Sequence, residues 1–531
     1  MSPSGTSPAG LFDPSWGAPV GRLVDPLTGR AWDRQVVVDR WCRRAAHYAD
    51  LGLAHSDRVF LHHGNTLEFF VDLLAIWSLG GSAIPIDPRL SQFEVETLAR
   101  ATAPRYSIWK QTPDSAMASC LSNLGIQVLD VPGVDVSAAR IAPRPPSRAW
   151  PSLDQDALVL FTSGTTGQPK GVVHTHRSLR ARWLSLRDCL GLDSFRRTLC
   201  LLPTHFGHGL ICNCLFPWLS GGDLFILPPS RPDLLARLGS ILDEHEITFM
   251  SSVPALWRLA LKTTRPPKSR TLKRVFCGSA PLSATLWNSI QEWTGAMEVF
   301  NAYGITETGS WLAGTTVPGF VPEDGLIGVA WGGVVKVSKT ASTRTPPPLA
   351  EDCSPGEPGY VWANTPALMR GYLGRDDLTE DVIAQGWFFT GDIGVIDDRG
   401  LLYLRGRERE EINKGGIKVY PGDIDAVVHR FEATIDTCSF GYDDPLHGED
   451  VGVAVVLNSA DDATLRRLYD WTNRHLARHQ MPQRWYLVEE IPRTSSGKIN
   501  RATVAERCAT RKPVEIRRLS GRGPGPAGGE A

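Results

Sequence analysis

The 531-residue sequence has no segment suited to crossing a bilayer. Its longest apolar runs, residues 73–86 and 209–219, contain glycine or proline and fall short of the roughly 20 residues a span requires. The opening stretch, MSPSGTSPAGLFDPSWG, has neither a basic start nor an apolar centre, so no secretory signal is expected. Charge of one sign is also missing. With 56 basic and 57 acidic side chains, the formal net charge of −1 provides no bulk attraction for nucleic acid. Ten cysteines are scattered along the chain, and only Cys212 and Cys214 lie close together. A C-x-C spacing alone is not that of a zinc ribbon, and both residues sit in the apolar run GLICNCLFPW, so buried structural thiols are expected. These absences lead to an expected cytoplasmic, reducing location, with no membrane span and no nucleic-acid partner.

What is present is an ordinary globular composition, 42% hydrophobic and 21% charged, on a chain long enough for two to four domains. Residues 1–20 and 521–531 are rich in proline and glycine and are expected to be loose; residues 340–359 read as an exposed loop. Between them runs a βα rhythm. Apolar strands are expected at 157–161, 224–227, 247–250, 275–277 and 297–300, and helices at 177–190, 232–245, 254–262 and 284–293. This alternation predicts an α/β fold: a large N-terminal domain, residues 21–406, of layered and largely parallel βα sheets. In such sheets ligands gather at the C-terminal ends of strands. A polar run, GREREEINKGG, follows Gly406 and marks a boundary at 407–409. A smaller α+β domain, 410–510, with a strand at 451–457 and a helix at 463–479, and a tail, 511–531, complete the chain.

The stretch FTSGTTGQPKG, residues 161–171, is built to hold phosphates. The hydroxyls of Thr162, Ser163, Thr165 and Thr166, with backbone N–H groups freed by Gly164 and Gly167, can cradle anionic oxygens, and Lys170 adds a point charge. It is not a Walker A loop. The two glycines are three apart, no Ser or Thr follows the lysine, and Pro169 and Gly171 oppose a helix starting there. The chain instead returns into a β-like run at Val172 and Val173.

Six segments in order resemble those of the adenylate-forming enzymes, a family that includes acyl-CoA synthetases, stand-alone adenylation domains and luciferases. They are LLAIWSLGGSAIPIDP (73–88), LFTSGTTGQPKGVVHTH (160–176), NAYGITET (301–308), GWFFTGDIG (386–394), LYLRGREREEINKGGIKVYPGDID (402–425) and PRTSSGKINR (492–501). The resemblance covers most of the chain, about residues 59–501. It implies a two-step ligase. A carboxylate attacks the α-phosphate of ATP to give an acyl-adenylate and pyrophosphate, and a thiol, of coenzyme A or a carrier-protein phosphopantetheine, then displaces AMP. It also implies that the small domain is mobile and rotates between the steps.

Individual roles follow from the same resemblance. Glu307, beside Thr306, is the expected Mg²⁺ ligand; a hard cation favours carboxylate oxygen. Asp392 is expected to accept from both ribose hydroxyls, with Arg407 assisting. Tyr303, next to Gly304, is expected to stack on adenine, and Gly278, Ser279 and Ala280 of the GSAP run to line adenine and acyl group. Lys498 is expected to swing in and stabilise the charge developing at the α-phosphate. Arg409 takes the hinge position, and Gly415 and Gly416 the acceptor tunnel, where glycine permits close approach.

Departures from the family pattern are informative. PTHFGHG (203–209), by the same resemblance the gate to the acyl pocket, puts Phe206 where many acyl-CoA synthetases have histidine, and adds His205 and His208 beside it. PGDID (421–425) carries aspartates where glutamates are common, and Glu411 stands where an apolar residue is usual. No aspartate near Phe206 could anchor an α-amino group, the nearest candidate being Asp223. The pocket segment 251–262 is rich in Trp, Leu and Ala, so an apolar or aromatic acid is expected rather than an α-amino acid. The partner is then a small carboxylic acid, with an acyl carrier protein as an alternative acceptor. Adenylate transfer to an amine or other non-thiol nucleophile is a second reading, and a P-loop NTPase a third. A non-catalytic binding homologue is the fourth, opposed by the intact set Lys170, Glu307, Asp392 and Lys498.

Overall fold

The computed structural model describes residues 20–129, 152–162, 170–229, 231–317, 319–341, 351–415, 417–445, 447–494 and 498–514. Three sheets carry the fold. The first has seven strands. Its centre is parallel, with Ser82–Pro85 and Arg58–His62 between Asp156–Thr162 and Tyr106–Trp109. Asp156–Thr162 turns back antiparallel into Lys170–Thr175, pairing Thr162 with Lys170. The segment expected to hold phosphates therefore connects two antiparallel strands, and the next element after it is a strand. This excludes a Walker A arrangement, in which a helix starts at the lysine.

The second sheet has 14 strands and two characters. Glu298–Ile305, Arg274–Gly278, Phe249–Ser252, Arg197–Cys200 and Asp223–Ile226 run parallel, the βα half that alternation predicts. From Ser310 onward the strands pair antiparallel, through Leu326–Ala330, Leu402–Arg407, Trp387–Ile396 and Gly359–Asn364. The sequence rhythm did not reveal this half, because its strands are joined without the long apolar helices that mark a crossover. The third sheet has five strands and lies in the C-terminal region, with Gly448–Leu457 at its centre. The large sheet's last strand ends at Arg407, a short turn covers Glu408–Glu410, and Ile412–Lys414 already belongs to the small sheet.

Two expected helices are shorter than their apolar pattern. The 232–245 segment is two helices, Pro232–Ala236 and Leu238–Glu244, broken at Arg237. Gly239 approaches the Arg265 carbonyl so closely that a Cβ would lie 2.2 Å from its oxygen. The 463–479 segment ends as an α-helix at His475. The segment after His208 differs in kind: His208–Leu215 is a π-helix, a form that is rare and often found at functional sites. Cys212 and Cys214 are fully buried within it.

Helix Leu67–Ser78 shows what holds the N-terminal core together. Thr66 caps it and every residue but Glu68 is buried, so it must sit inside rather than on the surface. Its one buried carboxylate, Asp72, is fully enclosed. Both of its oxygens accept from Arg44 Nη1, at 2.6 and 2.7 Å, and Oδ1 also accepts from the Tyr48 hydroxyl at 2.6 Å, with His63 Nε2 2.7 Å from Oδ2. Burial alone would raise its pKa, but the Arg44 guanidinium and these donors hold it below the usual range.

Candidate functional site

Strand Glu298–Ile305 delivers the first group. A bulge falls at Tyr303/Gly304, where a Cβ on Gly304 would lie 1.7 Å from the Ser310 carbonyl oxygen, so the position requires glycine. The strand ends in the turn Thr306–Thr308, which presents Glu307. Each backbone carbonyl of this turn is tied down from a different part of the chain. Thr306 O accepts from His174 Nε2 at 2.8 Å, Glu307 O from the Met369 amide at 2.7 Å, and Thr308 O from Arg182 Nη2 at 2.7 Å. The Glu307 carboxylate itself accepts from the Tyr372 hydroxyl at 2.8 Å.

The chemistry of these anchors is fixed by burial. A carbonyl can only accept, so His174 carries its proton on Nε2, and Nδ1 accepts from the Ser178 hydroxyl at 3.1 Å. Burial pushes the ring down to about 4, and it is neutral at pH 7. Arg182 is 1% exposed, and its other amine reaches the Trp331 carbonyl at 2.8 Å. Burial lowers it to about 10, which leaves it charged. The Tyr372 ring lies beneath Lys170, whose ammonium is 5.0 Å from the ring centroid. Burial and the neighbouring Glu307 push the phenol well up, so it stays a donor. Tyr372 thus touches both the expected phosphate lysine and the expected metal glutamate.

The second centre is Asp392, 4% exposed, which faces Arg407 across a strand pair. Arg407 Nε lies 2.7 Å from Asp392 Oδ1, and the Tyr303 hydroxyl donates to Oδ2. Arg407 also donates to the Thr390 carbonyl at 3.1 Å. Tyr303 is buried among Leu312, Ala313 and Ile327, the core placement that competes with adenine stacking.

Lys498 comes from the small domain. Its loop is closed by Thr494 N to Lys498 O at 2.8 Å and Lys498 N to Thr494 Oγ1 at 3.2 Å. The side chain keeps access to solvent, yet crowding lowers its pKa, the Arg407 guanidinium lowers it further, and Asp392 and Glu307 pull it back up. Lys498 therefore stands in the field of all three groups from the large domain. The two domains also meet at Arg430–Asp324, 3.6 Å, Arg405–Asp423, 3.4 Å, and Lys418 Nζ with the Tyr360 hydroxyl, 3.2 Å.

The remaining predicted residues divide. Asn65 fixes the gate segment by donating to the Leu202 and Leu227 carbonyls and accepting from the Thr204 amide. His205 Nε2 lies 3.5 Å from Asp87, and His205 packs on Phe206 with centroids 4.4 Å apart. His208 bonds to Ser251 and Ser279. Gly278 packs against the Ala302 carbonyl, and Ala280 is half-buried. Asp223 is committed to Arg22 at 2.7 Å, so it is no free anchor for an amino group. Trp257 of the pocket segment is fully buried and belongs to the core. Arg409 lies in the turn Glu408–Glu410. Gly415 has φ +59° and donates to the His447 carbonyl at 2.8 Å. Ser163, Gly164, Thr165, Thr166, Gly167 and Gly416 lie outside the described residues.

Sequence reasoning missed His174, Arg182 and Tyr372. Arg182 left one trace: it shares the buried face of helix His176–Leu190 with Leu179, Trp183 and Leu186, an odd place for a charge. Tyr372 and His174 left none, because their partners are 65 and 132 residues away.

The family model for AMP-binding enzymes matches residues 28–373, and that for the AMP-binding enzyme C-terminal domain matches 423–498. The chain belongs to the AMP-binding enzyme family. Within it, the chain is similar to the oxalate–CoA ligase of Arabidopsis thaliana, 27% identical over 481 residues, which span 86% of this chain and 90% of that protein. It is also similar to the long-chain-fatty-acid–CoA ligase FadD13 of Mycobacterium tuberculosis, 27% identical over 473 residues, 87% of this chain and 90% of that one. Among solved structures it matches ATP-bound MatB from Rhodopseudomonas palustris with a TM-score of 0.81 at 24% identity, covering 93% of this chain and 96% of that chain. The shared fold extends over both domains of this AMP-binding enzyme.

Proposed function

We propose that this AMP-binding enzyme is an acid–thiol ligase that activates a small carboxylic acid with ATP and passes the acyl group to coenzyme A. A substrate carboxylate oxygen bonds to the α-phosphorus, the bond to the bridging β-phosphate oxygen breaks, and pyrophosphate leaves. The thiolate sulfur, its proton given to solvent, then bonds to the acyl carbon, and AMP leaves. The observation that carries this reading is Tyr372, which donates to the Glu307 carboxylate and lies beneath the Lys170 ammonium, so that one side chain joins the lysine suited to phosphate to the carboxylate suited to a hard cation.

The donor set fits a polyphosphate with one divalent ion. Glu307 offers carboxylate oxygen, Lys170 and Lys498 are the cations for phosphate, and Arg407 assists Asp392 at the ribose. Mg²⁺ held by Glu307 would neutralise charge that repels the incoming carboxylate. Thr306 lies beside it. Asp392 retains lone pairs for ribose hydroxyls, since a carboxylate has about four acceptor sites and Tyr303 and Arg407 use two. Tyr303, Gly304, Gly278, Ser279 and Ala280 shape the adenine side. Thr162 to Gly167, with Lys170, hold the leaving pyrophosphate. Lys498 stabilises the charge at the α-phosphate.

The domains divide at 407–409, with Arg409 as the hinge for a rotation that brings Gly415 and Gly416 to the acceptor arm. A carrier-protein phosphopantetheine is the alternative thiol. No helix among the described residues is long and apolar enough to cross a membrane, and all ten cysteines are free, which supports a reducing cytoplasm. Lys498→Ala tests the reading. Acid-dependent pyrophosphate release falls by about 10²-fold or more, while thiolysis of preformed acyl-AMP continues. Equal loss of both steps refutes the role given to Lys498.

A further inference from the structure

Between the gate and the sheet lies a polar trio that the reaction itself does not use. His208 opens the π-helix and stands over the C-terminal ends of two parallel strands. Its Nδ1 is 2.7 Å from Ser279 Oγ and its Nε2 is 2.6 Å from Ser251 Oγ. Ser279 is held at φ +65°, an uncommon conformation for a residue with a side chain. That conformation aims its hydroxyl at the ring. Burial, with Lys498 adding to it, lowers His208 to about 4, so the ring is neutral and has one donor and one acceptor.

This arrangement leaves hydrogen-bonding capacity over. A neutral ring donates to one serine and accepts from the other. The serine that accepts keeps its own O–H, and the serine that donates keeps two lone pairs. Neither hydroxyl has another hydrogen bond among the described residues. The trio adjoins the turn that presents Glu307, since a Cβ on Gly207, the residue before His208, would lie 3.5 Å from the Thr306 methyl carbon. The floor beside it is closed. Trp311 stands 6.1 Å from the His208 ring, is 2% exposed, and packs on Phe276 at 4.7 Å and Phe249 at 5.9 Å. Gly207 is pressed against Ser310, where a Cβ would lie 2.6 Å from the hydroxyl oxygen. These rings and the Gly207–Ser310 contact close that side of the trio.

Resting on the ligase reading above, we infer that His208, Ser251 and Ser279 are specificity residues that select a short carboxylic acid carrying a second hydrogen-bonding group, a hydroxyl, oxo or carboxylate. An apolar acid in the same place leaves the hydroxyls unpaired, and a site built to bond a polar group rejects the analogue lacking it far more strongly than it reads a methylene. The expectation of an apolar or aromatic acid, drawn from the Trp, Leu and Ala of segment 251–262, gives way because Trp257 points into the core and Ser251 faces the trio.

The test is acid-dependent pyrophosphate release by the full-length enzyme with Mg²⁺–ATP, using matched pairs of short acids: 3-hydroxybutyrate against butyrate, acetoacetate against butyrate, and succinate against pentanoate. The expected result is a polar member favoured by about a hundredfold in kcat/KM in at least one pair, and no release with palmitate. In His208→Leu that ratio falls towards one, and Ser251→Ala and Ser279→Ala, which remove only a hydroxyl, each lower it part of the way. Apolar members equal to or better than their polar partners in all pairs overturn the inference alone. So does an unchanged ratio in the three variants. Release with no acid of any kind overturns the ligase reading and this inference with it.

Discussion

Lowering the pH from 7.5 to 5.0 unfolds the large domain's support from the inside. His174 and His176 are both 0% exposed, and burial holds each at about 4 against an ordinary 6.5. A folded pKa below the unfolded one means that the unfolded chain takes up protons first. The stability these residues permit is therefore whole above pH 6.5 and is lost as pH falls from 6.5 to about 4. One proton is worth about 1.36 kcal/mol per pH unit. At pH 5.0 each histidine removes about 2 kcal/mol, and the pair about 4, a large fraction of the 5–15 kcal/mol typical of a domain. His62, His205, His208 and His429 are also held at about 4 and add to the parent's loss in the same window, so the difference between parent and variant is what isolates one ring; the depressed carboxylate Asp72 acts only below the ordinary aspartate range. The assay is urea unfolding followed by tryptophan fluorescence at both pH values. His176→Leu supplies the control. Its ring nitrogens have no hydrogen-bond partner and its ring only edges onto Trp77, so leucine keeps stability at pH 7.5 within about 1.5 kcal/mol. The variant then loses about 2 kcal/mol less than the parent on acidification. Equal midpoints for the parent at pH 7.5 and 5.0, or the same loss in parent and variant, refute the reasoning.

Three further outcomes follow from the geometry. Tyr372→Phe removes a hydrogen bond to a charged carboxylate, worth about 1.5–3 kcal/mol, and raises the Mg²⁺ concentration for half-maximal pyrophosphate release about tenfold or more; Tyr372→Leu, which also takes the ring from under Lys170, raises KM for ATP as well. Tyr303→Phe frees one oxygen of Asp392 and raises KM for ATP about tenfold, with KM for the acid unchanged in steady-state assays. Arg44→Met leaves Asp72 buried without its cation and destabilises the fold by about 3–5 kcal/mol, read as a fall in the denaturation midpoint.

Much of this enzyme is determined by its sequence alone. Local pattern suffices where contacts are local: the apolar period of His176–Leu190, the strand Asp156–Thr162, the hairpin character of the phosphate segment, and the ordered motifs that hold Lys170, Glu307, Asp392 and Lys498. Tertiary structure alone decided what holds those residues in place. The antiparallel half of the large sheet, the anchoring of the Glu307 turn by His174 and Arg182, and Tyr372 between Glu307 and Lys170 all join segments tens to hundreds of residues apart. Such contacts leave no period in the chain, because the desolvation that selects a neutral histidine or a buried arginine exists only once distant elements have closed around it. The acid pocket is the sharpest case. Composition around Trp257 suggests an apolar lining, whereas packing turns the indole into the core and sets Ser251 and Ser279 against His208, contacts that join separate segments of the chain.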